Sequence, residues 1–100
     1  MKVEFIEPAL LELDDAIEYY NFESPGLGTK FLDEKLLNIR MIQKYPNAWP
    51  KYSVHTYKIT LRKFPYHLIF TKKQNILYII AVAHQHRKPE YWISRISNKG

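Results

Sequence analysis

The chain has 100 residues, of which 46% are hydrophobic and 25% charged, and it contains no cysteine. We expect one domain, residues 1–100, because this length is too short for two cores, and the lack of cysteine excludes disulfides and thiolate metal sites. The formal net charge is +5, and Glu90 is the one acidic residue after Glu34. Such a basic surface suits a polyanion, either nucleic acid or an acidic protein, or else serves solubility alone.

The N-terminal segment MKVEFIEPALLELDD carries acids where a secretory signal has a continuous apolar core. No apolar run approaches the roughly 20 residues that a transmembrane helix needs. We therefore expect a soluble protein of the cytoplasm with no membrane partner.

The first part of the chain predicts a strand followed by a helix. Residues 2–6, KVEFI, alternate and include β-branched and aromatic side chains. In residues 7–22 the apolar positions recur every three or four residues, with acids between them, which is typical of an amphipathic helix whose acidic face is solvated. Its expected buried stripe consists of Leu10, Leu13, Ile17 and Tyr20.

The segment ESPGLG ends this helix and introduces a second one. Ser24 is predicted to be the N-cap and Pro25 the first helical residue, because those residue types favour these positions. The second helix is expected to run to about Tyr45 and to form an antiparallel hairpin with the first. Its expected buried stripe consists of Phe31, Leu32, Leu36, Ile39 and Ile42.

Three strands and a short helix are predicted in the second half of the chain. Residues 56–62 and 66–73 read as strands, and residues 76–83 are apolar on both faces, as a central strand is. Short turns make these strands an antiparallel meander, and Pro89 is expected to open a C-terminal helix. The predicted fold class is α+β: an N-terminal strand, a helix hairpin packed on one face of the meander, and a short C-terminal helix.

The central strand ends in a basic and aromatic cluster, AVAHQHRKPEYW, residues 81–92. His84 and His86 would share one face of an extended segment, a spacing that suits zinc, but no further ligand set is visible and we expect no metal. Their imidazoles are suited to acid–base chemistry near neutral pH, and plain surface residues are the alternative. Trp92 is expected in the core.

The same cluster supplies the groups that RNA cleavage needs without a cofactor. Arginines can hold phosphate in forked hydrogen bonds, with salt bridges to the acidic first helix as the alternative, and a tyrosine can stack on a base or donate a proton. No glycine-rich phosphate loop or metalloprotease motif is present, so no cofactor is expected. The expected catalytic set is Arg62, His84, Arg87 and Tyr91. The residues expected to contact RNA or another target are Lys58, Lys63, His86, Lys88 and Arg95, the last of them as a solvated residue on the helix face of Tyr91.

Three segments, PGLGTKFLDE, RKFPYHLIF and IIAVAHQHRKPEYWISR, occur in an order that resembles the RelE/ParE superfamily of bacterial toxins. The resemblance covers nearly the whole chain. It implies a compact α+β fold and a small basic toxin of a type II toxin–antitoxin, or plasmid stabilisation, system. It also implies a cognate antitoxin as partner, with operator DNA bound only through that antitoxin.

The resemblance leaves the mechanism open. RelE-like members cut messenger RNA in the ribosome, and Arg62, Arg87, Tyr91 and His84 stand at positions that would match such a site. ParE-like members inhibit DNA gyrase without catalysis, and the segments PGLG and FPY are closer to that side. An inactive module that only binds the antitoxin is the third interpretation.

Overall fold

The computed structural model describes residues 1–97. Its elements, in chain order, are β1 (Lys2–Phe5), α1 (Glu7–Glu23), α2 (Leu27–Lys44), β2 (Tyr57–Thr60), β3 (Tyr66–Lys73), β4 (Ile76–His84) and α3 (Ser94–Ser97). This order confirms the predicted α+β class. Within residues 1–97 no helix is long and apolar enough to cross a membrane.

The four strands form one sheet in the order β1-β4-β3-β2. The pairs β2–β3 and β3–β4 are antiparallel, which confirms the meander, whereas β1 pairs with β4 in parallel. The apolar sequence of β4 follows from this position, because a strand between two others and covered on both faces buries nearly every side chain.

A β-bulge in β4 decides which side chains face the helices. Phe70 pairs with Ile79 and Ile69 with Ala81, so that Ile80 is an extra residue in the ladder. Ile80 and Ala81 both pack into the smaller core on the face away from the helix hairpin. The alternation is shifted by one residue after the bulge, and His84 therefore lies on the helix side, 5.0 Å from Tyr66 between ring centroids.

The helix hairpin covers one face of the sheet with fewer large side chains than the sequence predicts. The expected burial of Leu10, Leu32 and Leu36 is wrong: these three side chains are 45%, 39% and 42% exposed. The residues that face the sheet include Ala9 and Ala16. Because Ala9 faces the sheet, its neighbour Leu10 lies on the outer side of α1.

The connection between the helices also differs from the prediction. Ser24 is not the N-cap of α2; the helix begins at Leu27, and Gly26 occupies the cap position with φ +90°. That left-handed conformation strongly favours glycine. The amide of Gly28 in the first turn donates instead to Asn21 Oδ1 of α1, at 2.8 Å, so one helix caps the other.

The C-terminal segment folds back over the open face of the sheet, the face opposite the helices. The predicted helix start at Pro89 is wrong, because Glu90 adopts φ +66° and the chain forms successive turns before α3 begins at Ser94. The expectation for Trp92 is confirmed: the indole is 2% exposed and packs against the smaller core. This segment gives the sheet its second apolar layer.

We predict that Gly28→Ala destabilises the protein by about 1–3 kcal/mol, the usual cost of overpacking. A Cβ at this position would lie 2.5 Å from the Ile17 carbonyl oxygen and 2.7 Å from the Asn21 side chain. Urea unfolding measures the loss, and Thr29→Ala, at the next and exposed position of the helix, serves as the control. Equal stability of the two variants would show that the helices are not held this closely.

Candidate binding site at the end of the central strands

Glu12 of α1 is the centre of a hydrogen-bond network at the edge of the sheet. Its carboxylate accepts the Val82 amide at 2.9 Å and the Tyr91 hydroxyl at 2.5 Å. It also accepts two bonds from the Arg95 guanidinium, at 3.0 and 2.9 Å. The two charged side chains are only 17% and 18% exposed. A carboxylate with this many donors orients all of them.

The network lies where β4 loses its strand neighbour. The parallel ladder ends at the pair Phe5 and Ile79, because the chain turns there into α1. Beyond that point Glu12 accepts the Val82 N–H, and Arg95 donates to the Ile80 carbonyl at 2.8 Å. The ion pair thus satisfies backbone groups that another strand would otherwise bind.

Two sequence expectations are corrected here. Glu12 does not belong to a solvated acidic face, and Arg95 is not a solvated residue, since the two form a largely buried ion pair. Its bonds to Glu12 and to the Ile80 carbonyl engage both terminal nitrogens of Arg95. Salt bridging to the first helix was considered for Arg62 and Arg87, but within residues 1–97 neither of them forms an ion pair.

Tyr91 is held by the same carboxylate. Burial, followed by the hydrogen bond to Glu12, raises the pKa of its hydroxyl well above the usual value. The Arg87 guanidinium stacks on its ring, 3.9 Å from the centroid, and Arg95 lies 5.1 Å from the same centroid. The phenol is therefore neutral, and its hydroxyl donates a hydrogen bond to Glu12.

A cavity of about 50 Å³ opens beside this stack on the open face of the sheet. His67, His84, Arg87 and Lys88 line it, together with the rings of Tyr52 and Tyr91. His84 and Arg87 also border a wider groove of about 590 Å³ that runs between α1 and the ends of β3 and β4. These two residues form the ridge that separates the cavity from the groove.

His67 is a site residue that sequence reasoning missed. Its Nδ1 lies 2.9 Å from Thr60 Oγ1 on the neighbouring strand. Burial lowers the pKa of its imidazole, and the positive charge of Lys58 and the nearby His84 lower it further. Alternation along β3 places His67 on the same face as Ile69, and this was the signal that could have revealed it.

The two histidines of the cluster do not continue an extended strand together. β4 ends at His84, whose carbonyl accepts the Arg87 amide in a turn. The His86 amide donates to His84 Nδ1 at 3.0 Å, which leaves Nε2 as the nitrogen of that ring that carries the proton. Within residues 1–97 no three His, Asp or Glu side chains converge on a point that would hold a metal ion.

The structure gathers three of the four expected catalytic residues and leaves the fourth apart. His84, Arg87 and Tyr91 meet at the cavity, whereas Arg62 and Lys63 lie in the loop after β2 and do not line it. The backbone amides of that loop donate to the Glu34 carboxylate of α2. Lys58 reaches the cavity wall indirectly, with its Nζ 4.2 Å from the centroid of Tyr52.

Comparison with known proteins shows the fold. No protein-family model and no curated protein matches the sequence. Among solved structures, a chain described as "Chromosomal ParDE TA system from P. aeruginosa" matches with a TM-score of 0.73 and 18% identity. The match covers 84% of this chain and 95% of that one. The compact α+β fold that the sequence resemblance implied is confirmed.

We predict that Glu12→Gln costs roughly 3 kcal/mol of stability, because it leaves a buried guanidinium without its countercharge. Glu18→Gln, an exposed position on the same helix, is the matched control and should change stability by less than about 0.5 kcal/mol. Urea unfolding of both variants measures the difference. A similar small effect of both would mean that the ion pair contributes little to the fold.

We further predict that the imidazole of His67 titrates below pH 6.5, the value of an unperturbed histidine, because burial and Lys58 oppose its charging. Proton NMR of the ring signals between pH 4 and pH 8 measures the midpoint. Lys58→Gln should raise it, whereas Lys73→Gln at the far end of β3 should not. A midpoint above the unperturbed value would contradict the described burial. The lowered pKa of His67 also makes the free energy of unfolding decrease as the pH falls below 6.5, because the unfolded chain then binds more protons than the folded chain.

Proposed function

We propose that this protein is the toxin component of a type II toxin–antitoxin system and that it arrests growth by binding its target, without cleaving RNA. The fold supports the first part, since the solved structure that it matches is described as a ParDE toxin–antitoxin system. A cognate antitoxin is the partner that this function requires. DNA gyrase is the target that the resemblance to ParE suggests.

The hydrogen bond from Tyr91 to Glu12 is the observation that carries the second part. A general acid must present its proton to the leaving group and have a pKa near the working pH. The Tyr91 hydroxyl donates its hydrogen bond to Glu12 at 2.5 Å, and its pKa is raised further from neutrality. Arg62, which was expected to hold phosphate, lies outside the cavity. Neither Tyr91 nor Arg62 is therefore placed to play its expected catalytic role.

One observation favours messenger RNA cleavage as a second candidate function. Two imidazoles, His67 and His84, meet Arg87 and Lys88 at one cavity. An imidazole pair could serve as base and acid while the cations hold a phosphate. This candidate also requires the ribosome or its message as the target, and it needs no metal or cofactor.

To test this proposal, the chain is expressed in bacteria without an antitoxin and RNA 5′ ends are mapped. Supercoiling by purified gyrase is measured in parallel. We expect growth arrest, intact messages and inhibited supercoiling. Tyr91→Phe should retain the arrest, because the ring remains under Arg87, whereas a nuclease that uses the hydroxyl would lose roughly 100-fold or more. Arg87→Ala should weaken the arrest.

Each other outcome has a definite meaning. New 5′ ends phased to codons would establish the nuclease and overturn the binding mechanism. Normal supercoiling at saturating protein, with arrest and intact messages, would exclude gyrase as the target. Absence of arrest from a chain shown to be folded by circular dichroism would leave only a module that binds an antitoxin.

A further inference from the structure

We propose that the cavity beside Tyr91 is a carboxylate-binding pocket, which receives an aspartate or glutamate side chain from a protein segment that docks on the open face of the sheet. This inference rests on the proposed function, in which the protein acts by binding another protein. It specifies the chemistry of the contact and the residues that make it.

The charge of the pocket has the right sign for a carboxylate. Arg87 and Lys88 stand at its rim with the imidazoles of His67 and His84. Among the described residues, none of those that line it is an acid, and the adjacent carboxylate of Glu12 is already bound by Arg95 and Tyr91. Within residues 1–97 neither Arg87 nor Lys88 forms an ion pair. An incoming carboxylate would give these cations a charged partner.

The size of the pocket suits a small anionic group. Its volume is about 50 Å³, which fits a carboxylate at the end of a side chain. The Arg87 guanidinium can bind both carboxylate oxygens in a forked arrangement. The same guanidinium lies over the Tyr91 ring, which restricts its position before the ligand arrives.

The two tyrosine rings of the pocket offer little free surface on which an RNA base could stack. Single-stranded RNA is recognised largely by bases that stack on exposed aromatic faces. The ring of Tyr91 is covered by Arg87 at 3.9 Å. Tyr52 has Lys58 over its ring at 4.2 Å and packs against Trp92 at 5.7 Å between ring centroids. These aromatic faces are therefore already occupied, whereas a carboxylate needs only the cations.

The experiment measures the binding of fluorescein-labelled hexaglutamate, hexaglutamine and a uridine hexamer RNA by anisotropy, at one near-physiological salt concentration. We expect hexaglutamate to bind and hexaglutamine and the RNA to bind at least about tenfold more weakly. Ring signals of His67 and His84 should shift in NMR spectra when hexaglutamate is added, which locates the bound peptide at the pocket.

Two variants that each remove one positive charge distinguish binding at the pocket from general electrostatic attraction to the basic surface. Arg87→Gln should weaken hexaglutamate binding about tenfold, whereas Lys73→Gln, at the opposite end of β3, should change it less than about twofold. Lys88→Gln provides a second variant at the rim, and circular dichroism verifies that all three are folded. Equal losses from Arg87→Gln and Lys73→Gln, or unshifted histidine signals, would overturn the proposal.

The remaining outcomes separate this inference from the proposed function. Tighter binding of the RNA than of hexaglutamate, with shifts of the same histidine signals, would assign the pocket to nucleic acid and overturn the proposal. Growth arrest by a chain that does not bind hexaglutamate would retain the toxin function and reject the pocket. Selective hexaglutamate binding by a chain that causes no arrest would retain the pocket and reject the toxin function.

Discussion

The ion pair between Glu12 and Arg95 is the interaction on which the arrangement of the site depends. β4 extends beyond the last residue of β1, so the backbone groups of Ile80 and Val82 there need partners other than a strand. A buried N–H or carbonyl without a hydrogen bond costs about 1–3 kcal/mol. Glu12 and Arg95 satisfy both groups and neutralise each other, so that α1, β4 and the C-terminal segment are joined at one point.

The surface chemistry follows from this junction. Glu12 fixes the Tyr91 hydroxyl, and the Tyr91 ring in turn supports the Arg87 guanidinium. Arg87 is thereby held as a ridge between the small cavity and the wider groove beside α1. Although the acids are concentrated in the first third of the chain, one of them organises the basic site built by the last third. An acidic residue of the first third of the chain thus has a structural role in the site.

Local sequence patterns predicted the helices and strands, but they did not predict the long-range contacts. The turns on either side bounded β3, and three- and four-residue spacing located both helices, because these signals are properties of single segments. The bulge at Ile80, which turns His84 toward the helices, has no such periodic signal. Nor does the contact of Glu12 with Arg95, which joins residues 83 positions apart. The sequence therefore located the basic cluster, but it did not show which of its side chains form hydrogen bonds or ion pairs within the protein.

The positive charge of the surface determines that a partner is anionic, and free aromatic rings determine whether that partner is a nucleic acid. A basic surface attracts RNA and acidic proteins alike, since the attraction depends on charge and falls with salt for both. Discrimination requires a further feature, and an uncovered aromatic ring is the one that nucleic-acid-binding surfaces commonly supply. Here the cations that make the surface basic also cover the rings of Tyr91 and Tyr52. The same side chains that attract a polyanion thus cover these two tyrosine rings, which favours a small anionic group on a protein as the ligand.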